Sequence, residues 1–208
     1  MTLHSHGMTE MFTSWVREGP ITSPFAHPRG LRGRLAGRFM AVTNGRASRE
    51  VAALLPLRAG QTVLEVGYGP GVLLGALLAR PERPRLLGVD PSEEMCRLAA
   101  RRAPGADLRL GDAAATGLDD AAVDHVVSVN TVAIWPDLDA GLDELCRVLR
   151  PGGTLLLAWH SATARSRISR TLGLPAAALA RIEAGLSARC RSVDQVVLTD
   201  VLVFHALR

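Results

Sequence analysis

The run Val63-Leu64-Glu65-Val66-Gly67-Tyr68-Gly69-Pro70-Gly71 decides how this chain is read. Val63–Val66 is a short, mostly apolar stretch that fits a buried strand. Three glycines at alternate positions then interrupt it. Glycine takes positive φ without steric cost, so the chain can turn sharply there and leave its main chain bare. A helical pattern over Gly71–Arg80 follows at once and is stopped by Pro81. The start of such a helix can face a negatively charged group. The spacing is G-x-G-x-G. The dinucleotide fingerprint is G-x-G-x-x-G, so the third glycine comes one residue early.

Working outward, strands and helices alternate. Arg85–Val89 reads as a second strand, and Ser92–Arg102 as a helix with Ser92 as its N-cap and Glu93 and Glu94 in its first turn. Asp107–Leu110 is a brief strand, and Val123–Asn130 is a strongly β-branched one. Leu138–Leu149 is a helix with Leu138, Leu142, Leu145 and Leu149 facing inward. Pro151-Gly152-Gly153 turns the chain into a strand over Thr154–His160. An Ala-rich helix over Leu174–Leu186 and two closing strands, Arg191–Thr199 and Val201–Leu207, complete the series. Upstream, Ser48 is expected to cap a helix that buries Val51, Leu54 and Leu55. Leu31, Leu35 and Phe39 give an amphipathic segment over Gly30–Val42, and residues 1–30 read as irregular. Such alternation implies a mainly parallel sheet covered on both faces. Ligands of that architecture bind at the carboxyl ends of the strands, near the point where strand order reverses.

Composition excludes several chemistries. All 24 basic residues among the 208 are Arg. A phosphate-binding Walker loop, a Schiff-base enzyme and a Tyr-Lys dehydrogenase pair each require Lys. The formal charge of +4 is modest for a chain of this size, and no nucleic-acid footprint follows from it. Cys96, Cys146 and Cys190 stand 50 and 44 residues apart, without CxxC. They read as small core residues of a reduced, cytoplasmic protein, with no metal site and no disulfide framework. The first 30 residues lack the apolar core of a secretory signal, and no apolar run is long enough to span a bilayer.

Four further elements stand in register with the glycine turn. Asp90 ends the second strand, 23 residues after Gly67, where a carboxylate can accept hydrogen bonds from a ribose diol. Gly111-Asp112-Ala113 follows the third strand, Asn130 ends the fourth, and Leu149-Arg150-Pro151-Gly152-Gly153 enters the fifth. Together the five resemble class I S-adenosylmethionine-dependent methyltransferases. VLEVGYGPG is similar to that family's first motif, GVDPS to its second, GDAAATGL to its third, DHVVSVNTVAIW to its fourth and LRPGGTLLL to its post-helix turn. The likeness is good over residues 45–160, loose after them and poor over the first 40.

The resemblance implies a doubly wound, seven-stranded, mainly parallel α/β sheet of the Rossmann-like methyltransferase type, with its last strand antiparallel. It implies an N-terminal helical lid over residues 1–45 and a cofactor-binding core over 46–208. The cofactor would be S-adenosylmethionine, leaving as S-adenosylhomocysteine. Gly67, Gly69 and Gly71 would line its methionine part, with Glu65 near the amino group through water. Asp90 would hold the ribose, Pro91 and Ser92 would border the adenine, and Asp112 with Ala113 would meet its amino group. Asn130 would lie near the sulfonium, and Tyr68 would abut the cofactor.

A sulfonium methyl is already electrophilic, so a base is needed only when the acceptor must lose a proton. His160, His27 and Tyr68 are the candidates for catalysis; His125 reads as structural. Phe12, Trp15, Phe25, His27, Trp135 and Trp159 are the substrate candidates. They suit a small aromatic or indolic natural product methylated on N or C. Competing readings are a phospholipid or quinone methyltransferase lying on a membrane through Leu31–Arg46, a non-catalytic cofactor-binding partner subunit, and an NAD-dependent oxidoreductase. No nucleic-acid partner and no stable membrane insertion are expected. The oligomeric state stays open, a homodimer being one option.

Overall fold

The computed structural model describes residues 13–20 and 44–208. Residues 13–20 form a small antiparallel hairpin, β1 (Thr13–Ser14) and β2 (Arg17–Pro20). This corrects the irregular reading of that stretch. Residues 44–54 are helical (α1). The expected amphipathic segment over Gly30–Val42 lies outside the described residues.

The main sheet comprises β3 (Thr62–Val66), β4 (Arg85–Asp90), β5 (Asp107–Leu110), β6 (Val123–Val129), β7 (Leu149–His160), β8 (Ser192–Val197) and β9 (Val201–Leu207). Their spatial order is β5-β4-β3-β6-β7-β9-β8. All neighbours are parallel except the two pairs that involve β9. The chain leaves β3 toward β4 and β5, then returns to β6 on the other side of β3. The crevice over the carboxyl ends of β3 and β6 is therefore the switch point of the fold.

Strand residues alternate between two cores, as a period of two dictates. Val63, Val127, Leu156 and Val203 face α1, α2 (Val72–Leu78) and α3 (Glu93–Arg102). Leu64, Val126, Leu155 and Phe204 face α4 (Leu138–Val148) and α6 (Ala176–Ser187). Both faces are covered, so β3 is buried at all five positions and reads as a continuous apolar run. On α6, Gly185 lets the helix close on α4: a Cβ there would lie 2.6 Å from Leu142 Cδ1.

Two local expectations are corrected. Ser48 sits inside α1 and is buried, so it caps nothing. β7 begins at Leu149 and runs through the Pro-Gly-Gly turn, because the Gly152 N–H donates to the Arg208 carbonyl. Between β7 and α6 lies a short helix, α5 (Arg167–Thr171), whose N-cap Ser166 accepts from the Ser169 N–H.

Asp137 caps α4 by accepting from the Ala140 N–H at 3.1 Å. Asp137→Ala is expected to lower stability by about 1 kcal/mol, or a melting temperature lower by about 2–4 °C, read by thermal unfolding. No change would show that the cap contributes nothing.

Candidate active site

The crevice begins with the glycine turn. Gly67, Gly69 and Gly71 take φ of 72, 50 and 75°. The Gly67 N–H donates to the Val89 carbonyl at 2.7 Å, which ties the turn to β4. The Gly71 N–H donates to the Tyr68 carbonyl, and α2 starts at the next residue.

Two carboxylates hold this turn. Glu65 on β3 is 3% exposed and accepts from the Leu74 N–H at 3.1 Å. It thereby satisfies one of the free amides at the start of α2. Burial pushes its pKa well above the usual carboxylate range, the Leu74 amide opposes that, and the charge of Asp90 adds to it. Asp90 closes β4 at 6% exposure. Its Oδ2 accepts from the Gly69 N–H at 2.8 Å and its Oδ1 from the Ser92 N–H at 2.9 Å. Asp90 thus bridges the glycine turn and the start of α3. Burial raises its pKa to about 6, against the two amides that favour the charged form. A carboxylate accepts about four hydrogen bonds, so roughly two sites stay open to a diol.

Ser92 is the N-cap of α3 and accepts from the Met95 N–H. Pro91, beside it, is exposed. Asp112 is exposed at the end of β5 and accepts from the Ala114 N–H at 2.8 Å. Asn130 follows β6 with φ of 58° and donates from Nδ2 to Asn44 Oδ1 at 3.3 Å. Its Oδ1 is buried and has no partner among the described residues.

Several candidates are placed elsewhere. Tyr68 is 2% exposed and points into the α2–α3 core, where its ring fills the slot over Gly88. A Cβ on Gly88 would lie 2.6 Å from Tyr68 Cδ1. Burial drives the phenol pKa upward, with the Cys96 thiol second. This corrects both the catalytic and the cofactor-facing expectation for Tyr68. Ala113 and Trp135 belong to the core against α4, with the Trp135 ring lying on Gly141. Trp159 donates from Nε1 to the Leu172 carbonyl and packs on that same side. Trp15 donates from Nε1 to the Val132 carbonyl at 2.7 Å, and Arg181 stacks 5.3 Å from its ring centre. That fixes the hairpin on the 3-10 turn Val132–Ile134 just after Asn130. Phe12, Phe25 and His27 lie outside the described residues.

His160 ends β7 in edge contact with Trp159, and its buried Nδ1 has no partner among the described residues. Burial lowers its pKa to about 4, although the charge of Asp200 works the other way. It is therefore held in its neutral form, with a basicity below that of a free imidazole. The C2 proton of His160 is expected to titrate near pH 4 by NMR; a midpoint near 6.5 would contradict its burial. His125 hydrogen-bonds Gln61 Oε1 at 3.0 Å and fits its structural reading. Among the described residues no His, Cys, Asp and Glu cluster could hold a metal.

Thr131 was not singled out from the sequence. Its hydroxyl meets Ser128 Oγ at 2.5 Å, accepts from Trp135 Nε1 at 3.2 Å and donates to the Val66 carbonyl at 3.4 Å. Its methyl occupies the place a Gly67 Cβ would need. Its one sequence signal was its position directly after the strand end. Asn44 had none.

The comparisons agree with this geometry. A family described as a methyltransferase domain matches residues 64–157. An uncharacterized methyltransferase, YdaC, of Bacillus subtilis is 37% identical over 121 residues, 57% of this chain and 67% of that protein. Trans-aconitate 2-methyltransferase of Azoarcus is 38% identical over 113 residues, 54% of this chain but only 44% of its own length. A solved S-adenosylmethionine-dependent methyltransferase of Aquifex aeolicus superposes with a TM-score of 0.65 at 22% identity, covering 77% of this chain and 88% of that one. The chain belongs to the class I S-adenosylmethionine-dependent methyltransferases. Its cofactor is S-adenosylmethionine. The bare turn, the open acceptor sites of Asp90 and the unpartnered Asn130 Oδ1 fit that molecule.

Proposed function

We propose that the chain transfers the methyl group of S-adenosylmethionine to a small-molecule acceptor seated over the carboxyl ends of β6 and β7, beneath a lid formed by residues 1–45. The observation that carries this is Asn130 at the end of β6: Asn44 holds its Nδ2, and its buried Oδ1 has no partner among the described residues. When bound, the cofactor supplies an electrophilic methyl. The glycine turn would hold its methionine part and Asp90 its ribose. Pro91, Ser92 and Asp112 would border its adenine, with Asn130 beside the reacting end. The protein's part is to align the two reactants and exclude water.

Of the crevice carboxylates, Asp90 is engaged by the Gly69 and Ser92 amides and Glu65 by the Leu74 amide. Burial keeps His160 neutral and weakly basic, and we assign none of the three as the acceptor's base. The acceptor therefore brings its own free lone pair or electron-rich carbon. An aromatic or indolic natural product satisfies this. Among the described aromatics Trp15, Trp135 and Trp159 all pack on the α4–α6 side, so that reading rests on the sequence composition of the N-terminal segment. A small carboxylic acid satisfies it equally, and the likeness to a relative named for trans-aconitate favours that second reading.

Among the described residues no helix is long and apolar enough to cross a membrane. A surface-bound phospholipid or quinone enzyme rests on Leu31–Arg46, most of which lies outside the described residues. Vesicle sedimentation at low and high salt tests it, because a surface-charge attraction weakens with salt.

The deciding experiment incubates the protein and isotopically labelled S-adenosylmethionine with pools of small acids and of indolic metabolites, followed by mass spectrometry. Labelled product from either pool, with calorimetric binding of S-adenosylhomocysteine and not of NADH, supports the proposal. In a parallel incubation with lipid and protein fractions, label appearing only there would overturn the small-acceptor reading.

A further inference from the structure

Cys146 and Cys190 were read as separate core thiols. The fold brings them together, with Sγ atoms 3.9 Å apart. Cys146 lies on the last turn of α4 and is buried. Cys190 is half-buried directly after α6, its N–H donating to the Leu186 carbonyl. At 3.9 Å the two sulfurs are in van der Waals contact. Cys96, on α3, packs against the opposite core and provides an internal control.

We propose that Cys146 and Cys190 form a peroxide-sensitive thiol pair that closes to an intramolecular disulfide joining α4 to the end of α6. The setting suits a two-step oxidation. The charges of Arg189 and Arg208 bear on both sulfurs. Arg189 is fixed there by Asp143 at 2.6 Å and Asp139 at 3.2 Å. The contact with Cys146 lowers the pKa of Cys190, while the same contact raises that of Cys146. The more accessible sulfur is thus the one that ionises, as a reactive thiol requires.

The Cys190 thiolate attacks one oxygen of hydrogen peroxide; the O–O bond breaks, hydroxide leaves, and a sulfenic acid forms. The Cys146 sulfur then attacks the Cys190 sulfur; the S–S bond forms and the S–O bond breaks. The second hydroxide leaves as water with the Cys146 proton, and the first takes up the proton Cys190 released. Two thiols and one peroxide give one disulfide and two waters, the two electrons coming from the sulfurs.

The bond lies far from the crevice. Cys146 precedes the start of β7, and Cys190 precedes Ser192, which pairs with Leu207 at the same end of the sheet as Thr154. Closing a loop of about 45 residues constrains the unfolded chain and is expected to raise the melting temperature by about 5–10 °C. Affinity for S-adenosylhomocysteine changes by less than about twofold, because no residue of the turn moves.

The test treats the full chain with hydrogen peroxide at neutral pH and maps its peptides without reduction. The expected product is a dithiothreitol-reversible cross-link between the Cys146 and Cys190 peptides, with the intact mass lower by two hydrogens. Cys190→Ser abolishes the cross-link and the thermal gain, and Cys96→Ser leaves both. Direct over-oxidation of Cys190 with Cys146 still a free thiol, a cross-link through Cys96, or one only between two chains overturns the proposal. Thermal unfolding of untreated Cys190→Ser confirms that this variant is folded.

Discussion

Asp90→Ala lowers the affinity for S-adenosylhomocysteine by about 1–3 kcal/mol, roughly 5- to 150-fold, in titration calorimetry. Two effects combine. The carboxylate would accept the ribose hydroxyls, and it already anchors the Gly69 and Ser92 amides. Its removal takes away a ligand acceptor and loosens the turn. The effect carries a pH signature. The folded pKa of Asp90 is near 6, raised from an ordinary value of 3.8. Affinity in the native protein falls as pH drops through about 6, because a protonated carboxyl accepts less well. Stability of the free protein moves the other way: proton uptake by Asp90 favours the folded state as pH falls from 6 toward 4. His160 opposes this, since its depressed pKa makes folding lose stability from pH 6.5 downward. Glu65, whose pKa burial also raises, acts on stability in the same direction as Asp90. The difference in binding between the native protein and an Asp90 variant is therefore what isolates Asp90. Asp90→Asn should flatten the binding profile between pH 5 and 7. An unchanged profile in that variant would remove Asp90 from the ligand.

Gly67→Ala is expected to cost about 2–5 kcal/mol of folding stability and to abolish measurable cofactor binding. The φ of 72° costs an L-residue about 1–2 kcal/mol. The added Cβ would stand 2.3 Å from Thr131 Cγ2, an overlap that adds about 1–3 kcal/mol. Gly152→Ala separates the two contributions. Its φ is 77°, and nothing lies within 4 Å of the Cβ. It should lose only the backbone part. Thr131→Ser in the Gly67→Ala background removes the clashing methyl and returns some of the loss. Equal denaturant midpoints for Gly67→Ala and Gly152→Ala would show that Thr131 does not press on the turn.

How far the sequence carried depended on whether the deciding contact was local. β3, the glycine turn, Asp90 and the Ser92 cap were legible because each obeys a short-range rule. The count of seven strands and the antiparallel last strand came from the resemblance, and the sheet agrees with both. Tyr68 was misread because its position suggests the crevice, while its direction is set by a vacancy over Gly88, 20 residues away. The same reason hid Thr131, whose partners lie on β3, on β6 and at Trp135. Trp135 misled likewise: an aromatic past a strand end looks available, yet Gly141 leaves a flat bed for its ring. Cys146 and Cys190 looked isolated because 44 residues separate them, and only the packing of α6 on α4 closes that distance.

The double clasp on Asp90 has a thermodynamic corollary. Both of its oxygens are already oriented by amides of the chain itself. The carboxylate has little rotational freedom left to surrender when a nucleoside arrives. Preorganisation of this kind shifts the ordering cost from the encounter to folding. Association with the nucleoside end should accordingly be fast and carry a small entropic penalty, with discrimination residing in how slowly the matched ligand leaves.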